Sequence, residues 1–175
     1  MEFIAEGLDI ISRFMEAGGT VLWYIAILTF LMWTLVFERM WYFRGSLRKD
    51  VDHAISAWEA RGERTSWNAR QVRRRLISEA SGKISQSLPM IKTLVALAPL
   101  LGLLGTVTGM IEVFNIMAVT GGGDAKSMAG GVSKATIPTM AGMVAALSGV
   151  FANMYVTEIS SRETKLLEDH LTTDH

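Results

Sequence analysis

Threonines and a ladder of small residues sit inside stretches of this chain that carry no charge. Thr93 to Ile111 reads TLVALAPLLGLLGTVTGMI, nineteen consecutive residues without an ionisable group. Ala98, Gly102, Gly105, Gly109 and Glu112 recur there at steps of three and four and share one helix face. Gly105-x-x-x-Gly109 is a close-packing pair, and Thr106 lies one position off that face with Thr108 nearby. A second series, Ala135, Thr139, Gly142, Ala146, Gly149 and Asn153, alternates four and three, the seven-residue period of a tightly packed helix pair. Small residues let helices approach closely, and hydroxyls offer polar contacts in a place without water. Such faces act either as glue between helices or, when several copies assemble, as the lining of a polar conduit. Pro99 and Pro138 each remove one backbone hydrogen bond inside these stretches, which predicts helix kinks that free the carbonyls of Val95 and Lys134.

The elements that must position these residues are membrane spans. Ala17 to Phe37 and Ala135 to Thr157 are uncharged as well, and each exceeds the roughly 18 apolar residues needed to cross the hydrocarbon core. Three buried helices of this length in a soluble domain would leave little surface for water, so the chain reads as one all-α membrane domain. The segment before the first span is acidic where a signal peptide is basic, so the first span is not a cleaved leader. In that segment Ile4, Leu8, Ile11 and Met15 keep helical spacing while Glu2, Glu6, Asp9, Arg13 and Glu16 take the other positions. This is an amphipathic helix, ended by Gly18 and Gly19, whose negative charge suits packing on protein better than on anionic lipid.

Charge asymmetry orients the spans. Arg39 to Lys92 holds twelve Lys and Arg against five Asp and Glu, and the segment before the first span holds one basic and four acidic residues. The loop is therefore cytoplasmic, the N-terminus and the Gly121-Gly122-Gly123-Asp124 turn outside, and the tail from Glu158 cytoplasmic. Trp23, Tyr24, Trp33, Trp41 and Tyr42 cluster near the ends of the first span, which marks it as the lipid-facing one. Within the loop Leu47, Val51, Ala54, Ile55 and Trp58 form one helical stripe; Gly62 breaks it, and Val72, Leu76, Ile77 and Ile84 form a second leading towards Leu88 and Ile91. These helices extend the spans into the cytoplasm.

Several chemistries fall away. The chain has no cysteine, and His53, His170 and His175 are too scattered for a ligand set, so no metal and no cofactor is expected. Arg73-Arg74-Arg75 lacks the interleaved aromatics and fold of a nucleic-acid site and reads as a basic face near the inner leaflet lipids. GGGDAKS at Gly121 to Ser127 ends like a phosphate loop, but Ala125 stands where glycine is required and no strand precedes it. Neither a nucleophile elbow nor a His-Glu-x-x-His helix is present, and nothing supports an enzyme.

PLLGLLGTVTGMIEVF (Pro99 to Phe114) and GVSKATIPTMAGMVAALSGV (Gly131 to Val150) together resemble the MotA/TolQ/ExbB proton-channel family, and within it the short ExbB-type subunits of TonB systems. The resemblance covers all three spans and the large loop. It implies a pentamer in the bacterial inner membrane around an ExbD-like single-span partner that carries the proton-bearing aspartate, driving a TonB-like protein for uptake across the outer membrane. It also implies that Thr106 and Thr139 face the pore, where a hydroxyl can hydrogen-bond an acid or water without bringing charge into the membrane. The expected organisation is a periplasmic amphipathic helix over 1–17, transmembrane helices over 18–43, 93–118 and 131–157, a cytoplasmic helical loop over 44–92, a periplasmic hairpin over 119–130 and a cytoplasmic tail over 158–175. Many relatives have glutamate where this chain has Lys134, while Glu112 occupies a place that is often neutral. Both lie one or two turns in from the outer hairpin, which points to a relocated charge pair. The alternatives are a TolQ- or MotA-like stator for envelope maintenance or motility, and a non-conducting scaffold.

Overall fold

The computed structural model describes residues 2–60, 62, 66–121 and 125–171. Its four α-helices are α1 (Glu2–Glu59), α2 (Trp67–Ser85), α3 (Leu88–Thr120) and α4 (Ala125–His170), with no strand among the described residues. Three helices are long and apolar enough to cross a membrane. The protein is an all-α membrane protein.

Several boundaries differ from those read in the sequence. At Gly19 (φ 66, ψ −162) α1 kinks and resumes at once, so the two glycines make a one-residue joint where a helix end was expected. Only glycine adopts this backbone cheaply. The side chains of Ile4 and Leu8 lie outside the described residues; Ile11 is exposed and Met15 half-buried. The hairpin shrinks because α3 runs to Thr120 and α4 starts at Ala125; Gly122, Gly123 and Asp124 lie outside the described residues, as does His175. The tail is helix, continuous with α4 as far as His170. In the loop, α1 runs unbroken from the first span to Glu59, whereas α2 is separated from α3 by a turn at Gln86 and Ser87. Neither proline interrupts its helix, and the one irregular backbone position inside the helices is Gly19.

The chain forms two compact units, Met1–Trp33 with Thr93–Val150, and Thr34–Lys92 with Phe151–His175. In the first, Val21, Ile25 and Leu28 of α1 pack on Ala98 of α3 and on Ala145 and Ala146 of α4. The first span is thus not simply lipid-facing. Trp23, Tyr24, Ile27 and Phe30 stay exposed on its outer side, while Val21, Leu22, Ile25 and Leu28 are buried. The two small-residue faces meet each other inside one chain. A methyl added at Gly102 would sit 3.0 Å from Thr139 Cα; at Gly109, 2.6 Å from Ala135 Cβ; at Gly142, 2.5 Å from the Ala98 carbonyl oxygen. Gly105 receives the Pro138 ring, and Gly149 receives Met32 of α1 and Val95 of α3. Pro138 is buried, its ring a knob in the hollow left by Gly105.

The second unit is built from both charged and apolar contacts. Ala54 and Trp58 of α1, Ala69 and Ala80 of α2, and Leu167 and Leu171 at the C-terminal end form its core. Arg73 donates to the carbonyl of Leu171 and, at 2.9 Å, to that of Glu168, closing the open end of α4. Ser66 caps α2, its hydroxyl accepting from the Ala69 amide at 3.2 Å.

The close approach of α3 and α4 generates a prediction. Backbone atoms cannot swing aside, so Gly142→Ala is expected to cost about 1–3 kcal/mol of stability, as overpacking does. Gly82 of α2 has nothing within 4 Å of an added methyl. There Gly82→Ala should be neutral or stabilising by up to about 1 kcal/mol through helix propensity. Thermal unfolding in mild detergent measures both; equal melting temperatures would contradict the packing described.

Candidate functional site

The hydroxyls of Thr106, Thr108 and Thr139 are all engaged, and not in the same way. Thr106, half-buried on α3, donates to the Leu103 carbonyl of its own helix at 2.7 Å. Thr108 does likewise, 3.0 Å from the carbonyls of Leu104 and Gly105. Thr139 instead reaches across from α4 and donates to the Gly102 carbonyl of α3 at 2.9 Å. Glycine at 102 makes this possible, since its lack of a side chain brings the two backbones within reach. A threonine that donates its proton still offers oxygen lone pairs as acceptors. Thr106 can therefore receive a hydrogen bond from water or a protonated acid, whereas Thr139 has a structural duty first.

Lys134 Nζ lies 3.8 Å from Glu112 Oε1 within the same chain. Glu112 stands eight residues before the end of α3 and Lys134 nine after the start of α4. At a 1.5 Å rise these are depths of about 12 and 14 Å, so the two helices bring them level. The side chains are 61% and 47% exposed, and a cleft of about 220 Å³ lined also by Gly109, Val113 and Gly131 opens beside them. Such exposure within an apolar span leaves the pair facing lipid, water or another chain. A lone charge there would cost about 2.5–3.5 kcal/mol on insertion scales, which is what pairing reduces.

Two features were not read from the sequence. Arg39, counted only as a charge beyond the first span, is 3% exposed. It donates to the Lys83 carbonyl at 2.7 Å and to Ser87 Oγ at 3.1 Å, bonds Glu38 at 3.3 Å, and lies 4.9 Å from the Tyr42 ring centre. Beside it Asp50 accepts from Lys83 at 2.7 Å and from the Tyr42 hydroxyl at 2.8 Å. The Lys83 hydrogen bond, with that of Tyr42, holds the Asp50 carboxyl below the usual carboxylate range. No local pattern distinguishes such an arginine from a solvated one. Asn153, the last member of the α4 series, buries its Oδ1 without a hydrogen-bond partner among the described residues. No group of three or more metal-ligating side chains occurs among the described residues.

A three-span helical bundle with a hydroxyl-bearing, glycine-packed inner pair defines a class of multi-pass membrane protein. A family model described as the MotA/TolQ/ExbB proton channel family matches residues 43–169. The chain belongs to that family, and it is a bacterial multi-pass membrane protein. It is 28% identical over 193 residues to a putative biopolymer transport protein, ExbB-like 1, of Synechocystis sp., covering 92% of this chain and 76% of that one. It is 32% identical over 88 residues to the biopolymer transport protein ExbB of Xanthomonas campestris, covering 50% of this chain and 35% of that one. With the ExbB of Helicobacter pylori it shares 36% over 69 residues, 39% of this chain and 48% of that one. The alignment thus spans three quarters of the first relative and a third to a half of the other two. No solved structure matches the chain.

The ion pair is testable by a double-mutant cycle. Glu112→Lys and Lys134→Glu singly create like-charge neighbours, and the exchange restores the attraction. The coupling expected of contacting charges is about 0.5–3 kcal/mol, read as recovered thermal stability in the double variant. Strictly additive losses would show that the two act separately.

Proposed function

We propose that this chain is an ExbB-like proton-channel subunit of the bacterial inner membrane, with its N-terminus periplasmic and its C-terminus cytoplasmic. It assembles as a homo-oligomer, a pentamer on the family's pattern, around an ExbD-like single-span protein. Together they couple the proton motive force to a TonB-like protein for uptake across the outer membrane. The observation that carries this reading is chemical. The uncharged runs of α3 and α4 offer hydroxyls, and the acid inside these spans, Glu112, is paired with Lys134 towards their outer end, so beside Thr106 and Thr139 the chain can escort a proton but has no acid to carry one. The acid must come from another chain, which is the division of labour between an ExbB-like subunit and its partner. Thr106, Thr139 and the small face around them are the residues assigned to the path. Glu112 and Lys134 are assigned to its outer end. The curated relatives bearing the ExbB name favour this reading over a TolQ- or MotA-like stator.

Thr106→Val removes a hydroxyl that bonds only its own helix, so the protein should assemble and hold its partner at wild-type yield. Energised uptake should fall roughly tenfold, the value of one hydrogen bond to a developing charge. Thr106→Ser should retain it. Thr139→Val also removes the α3–α4 bond, so its yield should fall with its activity. Growth on chelated iron beside oligomer yield separates these, and wild-type growth of Thr106→Val at full yield would remove Thr106 from the path.

A further inference from the structure

One cleft in the second unit is not used by any of the roles above. It holds about 470 Å³ and lies between residues 40–47 of α1 and 155–163 of α4. Its depth is set by the sequence, because the uncharged runs end at Phe37 and Thr157 and the lining residues straddle and follow those ends. That is where phospholipid headgroups lie beside a span.

The charges in the cleft are of both signs and only half are neutralised. Arg162 is 3.3 Å from Glu163. Arg44 and Glu158, also in the lining, have no ion-pair partner among the described residues and do not pair with each other. Met40, Phe43 and Tyr155 supply apolar wall between them. A simple anion suited to Arg44 would meet Glu158, and a simple cation suited to Glu158 would meet Arg44. A group carrying a phosphate and a primary ammonium answers both, with charge-assisted hydrogen bonds at each end. We propose that the cleft binds the headgroup of a zwitterionic aminophospholipid of the phosphatidylethanolamine type, phosphate towards Arg44 and ammonium towards Glu158, with the first acyl carbons against Phe43 and Tyr155.

The test uses the full-length protein purified with its single-span partner and stripped of lipid in detergent. It is titrated with dioleoyl phosphatidylethanolamine, phosphatidylcholine or phosphatidylglycerol, with bound lipid counted by native mass spectrometry. Phosphatidylethanolamine should bind roughly tenfold more tightly than either competitor, since choline lacks the N–H donors and glycerol the positive charge. Arg44→Ala should weaken binding of all three lipids, Glu158→Gln should weaken phosphatidylethanolamine most, phosphatidylcholine less and phosphatidylglycerol not at all, and Glu158→Arg should turn the preference to phosphatidylglycerol. Oligomer mass and melting temperature of each variant before lipid addition provide the control for folding. Equal affinity for the three lipids in the wild type would overturn the proposal. So would variants that change oligomer mass and leave lipid preference intact, because the cleft would then be a contact between copies of the chain.

Discussion

At Gly102 the backbone of α3 comes so near α4 that Thr139 Oγ1 donates to the Gly102 carbonyl at 2.9 Å. In water such a bond would be one among many; in a span, carbonyls already hold their helical amide and solvent is absent, so a side-chain donor from the next helix is a scarce partner. The contact exists only because no side chain stands at 102, and the same economy of volume repeats up and down the pair. Gly105 receives Pro138, Gly109 faces Ala135, and Gly142 faces Ala98. Apolar association has no driving force of its own in lipid, so it is this contact density that holds the two inner helices as one body. The outward sides of both helices, Leu100, Leu103, Val107 and Ile111 on α3 and Met140, Met143 and Leu147 on α4, are left exposed for lipid or for other chains.

Polar groups then divide by what they are bonded to. Thr139 is committed to packing, Thr106 keeps an oxygen able to accept, and the Glu112–Lys134 pair brings opposite charges level at the far end of the same two helices. In the second unit Arg39 gives its donors to the last carbonyls of α2 and to Ser87, so a charge that would be costly if bare is satisfied within its own surroundings. Asp50, joined to Lys83 and Tyr42, extends that network. Hydroxyls and small residues thus occupy the middle of the inner helix pair, one ion pair lies towards its outer end, and the remaining charge networks belong to the second unit.

Much of this was legible in the sequence because lipid enforces simple rules. Uncharged runs long enough to span, the three-and-four spacing of Gly102, Gly105 and Gly109, and the four-and-three spacing through Thr139 and Gly142 each reflect a constraint on one helix face. What was not legible depends on which two faces meet. The spacing of Pro138 predicts a missing hydrogen bond but not that its ring fills the hollow at Gly105. Arg39 and Arg44 look alike in the sequence, five residues apart; one is buried among carbonyls and the other exposed. The helical tail was missed for a similar reason, since its polar stretch after Glu158 becomes ordered by Leu167 and Leu171 packing against α1 and α2 residues distant in sequence.

The role proposed for the glycine-packed pair of α3 and α4 is proton movement. Its most direct measurement is proton flux into liposomes that hold the chain together with the ExbD-like single-span protein proposed as its partner, under an imposed membrane potential. The account predicts flux above that of liposomes holding either protein alone, abolished when the partner's intramembrane acid is replaced by its amide. Flux indistinguishable from protein-free liposomes, with the complex demonstrably intact, would contradict it.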